Sequence, residues 1–284
     1  MEKLLNFDFQ LLNQGFSKLD ATWNFGPICS SFTRIYYVSE GEGWVTMEGR
    51  RHRLTPGHLY LIPAFASHYD HSSGPFAHYY IHCFDQTKQV INYYKQLKFP
   101  FEVAATDHDI HSIHRLSRLC PDIPLYDNNP NSYDNNPSLL KSIRRFQALP
   151  PGVRIEVNGI LLQLISHFFN KAEQKYKVSD NRIIKSLYTI EQNLTSPVSL
   201  DRLAAEAALS KDAFIRLFRR QTGHTPIDYI MRQRIQRAQI MMVEGQRSVQ
   251  KVARLMGYDN VSYFGRLFKK VTDMSPMEFI RQNR

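Results

Sequence analysis

The order of hydrophobic and polar positions divides the chain into a first part with strand patterns and a second part with helix patterns. Between Phe32 and Phe84, short segments rich in β-branched and aromatic residues alternate with turns containing glycine or proline, as in FTRIYYV followed by SEGEG. Such segments are typical of antiparallel strands. Their short, regular spacing predicts a β-barrel or a double-sheet jelly roll.

From Ser179 onward the apolar residues recur at helical spacing. Ser210 is placed to cap a helix over residues 211–222, which Gly223 ends. Pro226 is placed to open a long helix that continues to about Val243, because proline favours the first turn of a helix. The last third of the chain is therefore predicted to be all helical.

Two segments lie between these parts. Residues 122–137, DIPLYDNNPNSYDNNP, contain turn-forming residues without a period and are predicted to form a loop or hinge. Residues 154–171 are predicted to form a helix whose apolar arc is wider than one packing face needs. Part of this helix packs against the same helix of a second protomer, or it is buried within its own domain. The residues in question are Leu161, Leu164, Ile165 and Phe168.

The helical part contains a duplication. FIRLFRRQTGHTPIDYI, residues 214–230, and FGRLFKKVTDMSPMEFI, residues 264–280, are identical at seven of seventeen positions and conservatively substituted at five more. In each copy a short helix, a turn and a second helix are predicted, which is the arrangement of a helix-turn-helix unit. Phe, Leu and Phe recur on one face of each second helix, at 214, 217 and 218 and at 264, 267 and 268, and this face is predicted to be buried.

Charge is concentrated in the same region. The chain has 36 Lys and Arg against 26 Asp and Glu, and residues 176–284 hold 19 of the former and 10 of the latter. The first 175 residues are nearly balanced, with 17 against 16. A basic helical domain that carries two helix-turn-helix units is typical of a DNA-binding domain.

The exposed faces of the two second helices are the predicted DNA interface. Arg216 and Arg266 occupy the same position in each copy, and an arginine there can donate two hydrogen bonds to guanine. The basic residues after them are expected to bind phosphate. The alternative is a solvated basic surface that binds another protein. The full set is Asp212, Ile215, Arg216, Arg219 and Arg220 in the first copy and Ser262, Tyr263, Arg266, Lys269 and Lys270 in the second.

With these motifs, and above all with GYDNVSYFGRLFKK followed by a proline, the tail resembles the tandem helix-turn-helix domain of the AraC family of bacterial transcription regulators. The resemblance implies that the long helix holds the two recognition helices about one DNA turn apart. Asp273 stands where the family usually has glycine, and aspartate tolerates the left-handed conformation needed there.

The first part is similar, less specifically, to the cupin-like effector domain of that family. The resemblance implies an α+β multidomain protein with a cupin-like β-barrel and flanking helices over residues 1–135, a helical dimerisation or linker region over 136–178, and the DNA-binding domain over 179–284. Tyr79 and Tyr80 are adjacent on one strand, so at most one of them points inward. The candidate ligand-binding residues are Arg34, Trp44, His68, Tyr69, Tyr79, Tyr80 and His82.

We expect no catalytic residues, bound metal or cofactor. The paired histidines and glutamate of metal-dependent cupin enzymes are missing, although such an enzyme with a DNA-binding tail is the alternative function, and His78 and His82 are spaced to share a strand face. A DNA-repair methyl acceptor would need an activated cysteine in the tail, where there is none.

The remaining features concern location and partners. The three cysteines are widely spaced and predict no disulfide framework. The N-terminal segment lacks a signal-peptide core and no apolar run is long enough to span a membrane, so a cytoplasmic protein is expected. The predicted function is a sequence-specific transcription regulator, an activator, that responds to a small polar ligand such as a sugar. Its expected partners are operator DNA with two unlike boxes about one turn apart, the effector, a second copy of the chain and RNA polymerase.

Overall fold

A computed structural model describes residues 7–87, 93–94, 97–125, 127–174, 178–196 and 198–282. The chain divides into two compact units, the first ending at residue 173 and the second covering residues 174–281. The first contains two larger β-sheets and the second is mainly helical, which confirms the predicted α+β class. The finer domain limits stay a prediction, and residues 175–177 and 283–284 within them lie outside the described residues.

Two antiparallel sheets form the first unit. One has the strand order β1-β8-β3-β6-β10 and the other the order β2-β7-β4-β5. The strands of these two sheets are β1 (Phe9–Leu19), β2 (Asn24–Ile28), β3 (Thr33–Gly41), β4 (Gly43–Met47), β5 (Arg50–Leu54), β6 (His58–Ile62), β7 (His68–His71), β8 (Phe76–Asp85) and β10 (Glu102–Ala104). Two short strands, β9 (Leu97–Lys98) and β11 (Glu173–Gln174), pair in a separate two-stranded sheet.

Alternation along the strands sorts side chains between two cores. On β3, Ile35 faces an outer core while Tyr36 faces the space between the sheets. The inner cluster takes side chains from both sheets, among them Tyr80 of β8 and Val45 of β4. The two sheets therefore pack face to face around a shared interior.

Helices cover the outer face of the five-stranded sheet. The unit contains α1 (Asp107–Leu119), α2 (Pro130–Tyr133), α3 (Asn136–Gln147) and α4 (Pro151–Asn170). Leu161 and Leu164 of α4 pack with Ile113 of α1 in the outer core. The four α4 residues considered for a protomer contact, 161, 164, 165 and 168, are all buried inside their own unit. The within-domain interpretation is therefore correct for them, because the sheet beneath needs a wide apolar cover.

The prediction of a plain loop for residues 122–137 was wrong in one respect. The segment includes the helical turn α2, and Tyr133 at the end of this turn and Asp134 directly after it are buried. Leu125 and Tyr133 pack in a small cluster with Phe32 and Leu12. The segment thus closes one end of the interior between the sheets.

The second unit is built from seven described helices. They are α5 (Asn181–Gln192), α6 (Leu200–Glu206), α7 (Lys211–Thr222), α8 (Pro226–Val243), α9 (Val249–Leu255), α10 (Val261–Thr272) and α11 (Pro276–Gln282). The predicted helix limits at Gly223, Pro226 and Val243 are confirmed. Phe214 and Phe218 are fully buried, as are Phe264 and Phe268, so both copies turn the same face inward.

Two further observations bear on the sequence predictions. The three cysteines are buried and form no disulfide among the described residues. Of the helices that the structure describes, none is both long enough and apolar enough to cross a bilayer.

Candidate nucleic-acid interface and ligand-binding interior

The two predicted recognition helices, α7 and α10, have matching ends. Ser210 caps α7 by accepting a hydrogen bond from the backbone N–H of Ala213, and Asn260 caps α10 in the same way. Each helix ends at a residue in the left-handed conformation, Gly223 with φ 74° and Asp273 with φ 61°. The expectation that aspartate adopts this conformation is confirmed.

A threonine at the end of each recognition helix repeats one hydrogen-bond pattern. The hydroxyl of Thr222 donates to the carbonyl of Phe218 at 2.8 Å, and that of Thr272 donates to Phe268 at 2.9 Å. Each threonine is also within hydrogen-bond distance of the carbonyl two residues later. These bonds are buried, and in each copy they turn the backbone from the recognition helix into the following helix along the same path.

The predicted DNA-facing residues lie together on the outer face of each helix. Nine of the ten are exposed, and Ile215 is half-buried. Neither Arg216 nor Arg266 forms an ion pair with another residue of the described part. No described residue therefore neutralises their guanidinium groups, which are free to bind an outside acceptor.

The second recognition helix holds its arginine differently from the first. The guanidinium carbon of Arg266 lies 5.8 Å from the ring centroid of Tyr263, a cation–π distance. The corresponding position in α7 is Ala213, which has no ring to offer. Arg266 is thus held against an aromatic ring, whereas Arg216 has no aromatic neighbour three positions before it.

A buried arginine is the centre of the interior between the sheets. Arg34 on β3 is fully buried, and its Nη2 lies 3.5 Å from Oδ2 of Asp134. Its Nη1 donates to Ser30 Oγ at 2.6 Å, and Ser30 in turn donates to Asp134. The rings of Phe32 and Tyr133 lie 4.6 and 5.6 Å from the guanidinium carbon. The positive charge is therefore paired and held between aromatic faces.

Several polar atoms around Arg34 have no hydrogen-bond partner among the described residues. Buried polar atoms are normally paired, because desolvation without a partner costs about 1–3 kcal/mol each. His68 and Asp70 do not satisfy one another, since Nε2 and Oδ1 are 3.8 Å apart. The unpaired atoms are Arg34 Nε, His68 Nε2, Asp70 Oδ1, His78 Nδ1, His82 Nδ1 and Asp134 Oδ1.

Burial sets the protonation states of these groups. It raises the pKa of Asp70 to about 7 and that of Asp134 to about 6, while Arg34 acts in the opposite direction on both. It lowers the pKa of His68 and His78 to about 3. At neutral pH the histidines are therefore uncharged, so each ring offers both a hydrogen-bond donor and an acceptor.

Four of the seven ligand-binding candidates come together here. Arg34, His68, Tyr80 and His82 are on interior faces, and the ring of His82 lies 5.5 Å from that of Tyr80. The structure does not bring the other three into this interior, since alternation points them outward. Tyr79 packs on Phe16, Tyr37 and His114, Trp44 lies under Arg51, and Tyr69 is 42% exposed.

The candidate set from the sequence lacks four interior residues, Tyr36, Asp70, His78 and Asp134. The first three lie two or four positions from Arg34, His68 and His82 on the same strands. The period-two rule would therefore have found them. Asp134 follows a loop segment, where no local pattern marks a residue that reaches the interior.

The interior does not have the geometry of a metal centre. No group of three or more His, Cys, Asp or Glu side chains in the described ranges is arranged to hold an ion. This includes His78 with His82 and the histidines of α1.

Each unit matches one protein-family model. A model described as an AraC-like ligand binding domain matches residues 15–119, and a model described as a helix-turn-helix domain matches residues 203–282. The first range contains Arg34, His68 and His82, and the second contains both recognition helices.

Relatives with regulatory names align over most of the chain. An "uncharacterized HTH-type transcriptional regulator" from Haemophilus influenzae is 21% identical over 86% of this chain and 85% of its own length. The Msm operon regulatory protein of Streptococcus mutans is 23% identical over 98% and 94%. Regulators of higher identity, 34% and 35%, align over only 36% and 31% of their own length.

Among solved structures, a crystal structure of ToxT from Vibrio cholerae bound to (E)-4-(8-methylnaphthalen-1-yl)but-3-enoic acid has the same two-domain fold. Its TM-score is 0.50 at 11% identity, with 97% of this chain and 99% of that chain covered. At this identity the likeness extends to the fold alone.

Proposed function

Because the chain belongs to the AraC family of transcription regulators, with a ligand-binding domain followed by a helix-turn-helix DNA-binding domain, we propose that it is a sequence-specific activator controlled by a small uncharged polar ligand. The DNA site is proposed to have two unlike boxes about one helical turn apart, one for each recognition helix. The ligand is proposed to bind around Arg34.

One observation carries the DNA-reading part. Arg216 and Arg266 stand at the same position of two structurally matched helices, exposed and without an ion-pair partner in the described chain. Arg219, Arg220, Lys269 and Lys270 extend the basic surface and suit phosphate contacts. The residues around the two arginines differ between the copies, Ile215 against Gly265 for example, which supports two unlike boxes.

Selection of bound duplexes from a random DNA pool by the full-length chain tests this part. We expect enrichment of a bipartite site with about 10 base pairs between box centres. The Arg216→Ala/Arg266→Ala double variant should give no bipartite enrichment. Arg232→Ala is the matched control, because Arg232 is an exposed arginine of α8 paired with Asp228. If the unmodified chain enriched no sequence, the proposal would be abandoned.

The ligand's chemistry follows from the charges around Arg34. The guanidinium is already paired with Asp134, and Asp70 adds a second carboxyl group. A carboxylic acid, such as the compound in the ToxT crystal structure, would bring a further negative charge to a place where the described residues offer no unpaired cation. Hydroxyl groups can both donate to the carboxylates and accept from Arg34 Nε, and the rings of Tyr36, Tyr80 and Trp23 offer faces for a sugar ring.

Thermal shift measurements with a panel of ligands separate these classes. We expect neutral monosaccharides or related polyols to raise the melting temperature, and aliphatic or aromatic carboxylic acids to have no effect. The Asp70→Asn and His82→Gln variants should lose the shift, while Tyr79→Phe, on the opposite face of β8, should keep it. Stabilisation by acids and by no polyol would reverse the assignment.

Regulation is proposed to work by linkage between the two units. A ligand changes DNA affinity or geometry only by the difference in its own affinity for the two states of the protein. We propose that the ligand-bound state is the activating one, that the protein acts as a homodimer, and that it contacts RNA polymerase. Measuring operator affinity with and without ligand gives the coupling, and the same factor must appear in ligand affinity with and without operator.

A further inference from the structure

Arg234, near the middle of α8, binds the backbone of the first helix-turn-helix half. Its Nε donates to the carbonyl of Leu194 at 2.9 Å, and its Nη2 donates to the carbonyl of Ser196 at 2.7 Å. Both carbonyls belong to the segment between α5 and α6, which leads into the first helix-turn-helix half. Two donors from one planar group fix this segment in orientation as well as in distance.

The same guanidinium also packs against the turn of the second half. Its central carbon lies 5.5 Å from the ring centroid of Tyr258, in the turn between α9 and α10. Gly257 beside it has φ +76°, and a Cβ added there would lie 3.2 Å from Arg234 Nη1. Glycine at this position lets the turn approach the guanidinium closely.

From the turn, ring contacts continue to the DNA-reading face. The ring of Tyr258 lies 5.6 Å from that of Phe264, which is buried in α10, and 6.1 Å from that of Tyr263. The ring of Tyr263 in turn contacts the guanidinium group of Arg266. A continuous set of contacts therefore runs from the backbone before α6, through Arg234, to the base-reading candidate of the second copy.

We propose that Arg234 is a positioning residue that sets the distance and rotational phase between the two recognition helices, and so determines which spacing of two DNA boxes the protein accepts. The inference rests on the proposed function, since it requires a two-box site. α8 itself contacts α7 of the first half and α9 and α10 of the second half, but these helix contacts alone leave both halves able to rock about α8. The three-sided contacts of Arg234 oppose that rocking.

Rigid spacing has a measurable consequence. Two recognition helices held at a fixed distance and rotation bind both boxes at once, which raises the affinity. This gain in affinity disappears when the spacing between the boxes does not match. For the unmodified chain we expect about a 100-fold preference for the selected spacing over a site lengthened by half a turn. With Arg234 replaced by Gln, the preference should shrink to about tenfold or less, through loss on the native spacing and little change on the altered one.

The experiment uses the full-length chain and duplexes that carry the selected boxes at native spacing, at one base pair more or less, and at half a turn more. The variants are Arg234→Gln and Arg234→Lys, and Arg232→Gln, from the same helix, is the control. Lysine keeps the charge but cannot donate to two carbonyls while packing on Tyr258. It should therefore also flatten the spacing profile, which is the dependence of DNA affinity on the distance between the two boxes. Affinity for a single box should be unchanged in all of them.

Tyr258→Leu removes the other side of the contact. It should flatten the profile as Arg234→Gln does, and the double variant should be no flatter than either single one, because both changes break the same connection. This variant also tests the inference if Arg234→Gln fails to fold, which thermal melting reveals.

The possible outcomes separate two conclusions. If the unmodified chain selects no two-box site, the proposed function itself fails. If it selects one, and folded Arg234 and Tyr258 variants retain the full spacing preference, DNA reading stands and the positioning role of Arg234 is overturned. A uniform loss of affinity across all spacings and single boxes would make Arg234 a phosphate contact instead.

Discussion

Arg216 and Arg266 show how identical residues acquire different surroundings. Both are exposed on a recognition helix at the same position, but Arg266 lies over Tyr263 while Arg216 follows Ala213. Stacking restricts the rotamers of a long side chain before binding, so less conformational entropy is lost when the complex forms. Arg266 should therefore be the more selective of the two.

Replacing Arg266 with Ala is expected to cost about 1–3 kcal/mol on the selected site and to relax preference at one base position. Binding isotherms on the native site and its single-base variants measure both effects. Lys269→Ala is the matched contrast, because a phosphate contact weakens all sequences alike and lowers the salt slope by about one. Unchanged base preference in Arg266→Ala would show that this side chain does not read a base.

The buried ring of His78 makes the stability of the fold depend on pH. Its ring lies between aromatic neighbours, stacked on Phe76 at 4.9 Å, and burial lowers its pKa from 6.5 to about 3. Between these values the unfolded chain binds a proton that the folded chain does not. Stability from this group is therefore complete above pH 6.5 and is lost as the pH falls toward 3.

The His78→Phe variant should lose this contribution. Its free energy of unfolding should fall less steeply than that of the unmodified chain below pH 6.5, by up to about 1.4 kcal/mol per pH unit. Urea titrations at several pH values between 5 and 7 measure the difference. His108→Phe, the same substitution on the exposed surface of α1, is the matched control. A curve for His78→Phe that is parallel to that of the unmodified chain would contradict the assignment.

The turns of the two helix-turn-helix units adopt the same left-handed backbone conformation with different residues. Each first helix ends in a residue with positive φ, Ala208 at 52° and Gly257 at 76°. In both turns the next residue donates its N–H to an alanine carbonyl five residues earlier, from Leu209 and Tyr258. In the second turn, a Cβ added at Gly257 would also lie 3.2 Å from Nη1 of Arg234.

Exchange of the two turn residues should have opposite effects. Gly257→Ala should lower the free energy of unfolding by about 1–2 kcal/mol through the left-handed strain alone. Ala208→Gly should be neutral or stabilising by up to about 1 kcal/mol, because relief of strain offsets the added freedom of the unfolded chain. Chemical denaturation of both variants decides the matter, and equal destabilisation by the two would refute this account of the turns.

Over the whole molecule, net charge distinguishes the DNA-binding domain from the ligand-binding domain. Residues 176–284 carry 19 Lys and Arg against 10 Asp and Glu, whereas the first 175 residues are almost balanced. The DNA-binding domain can attract a polyanion at long range, and the buried interior of the first unit selects by hydrogen bonds. The two binding reactions of one chain should therefore respond differently to salt.

We expect the logarithm of DNA affinity to fall with the logarithm of salt concentration with a slope of roughly −4, if Arg219, Arg220, Lys269 and Lys270 each bind a phosphate. Affinity for a neutral ligand should change less than about twofold over the same range. Fluorescence titrations of the same preparation give both values. A steep salt dependence of ligand binding would instead indicate a charged effector.

Features that repeat over short distances follow from the amino-acid sequence alone. Helical spacing, the cap at Ser210, the end at Gly223 and the start at Pro226 all lie within the residues they control, so the tandem units could be predicted nearly to the residue. Strand alternation likewise shows that Tyr79 and Tyr80 point to opposite faces of the sheet, but not which of them points inward. The identity of the inward face needed the sheet pairing.

Contacts between distant segments follow from how the elements pack together in three dimensions. Asp134 reaches Arg34 across 100 residues of chain, and Arg234 reaches Leu194 across 40. The burial of α4 against its own sheet is of the same kind, since an apolar arc does not say what covers it. Such contacts depend on where separate elements close in space. Local periodicity encodes the shape of each element and which side is apolar, but not the neighbour that the side will meet.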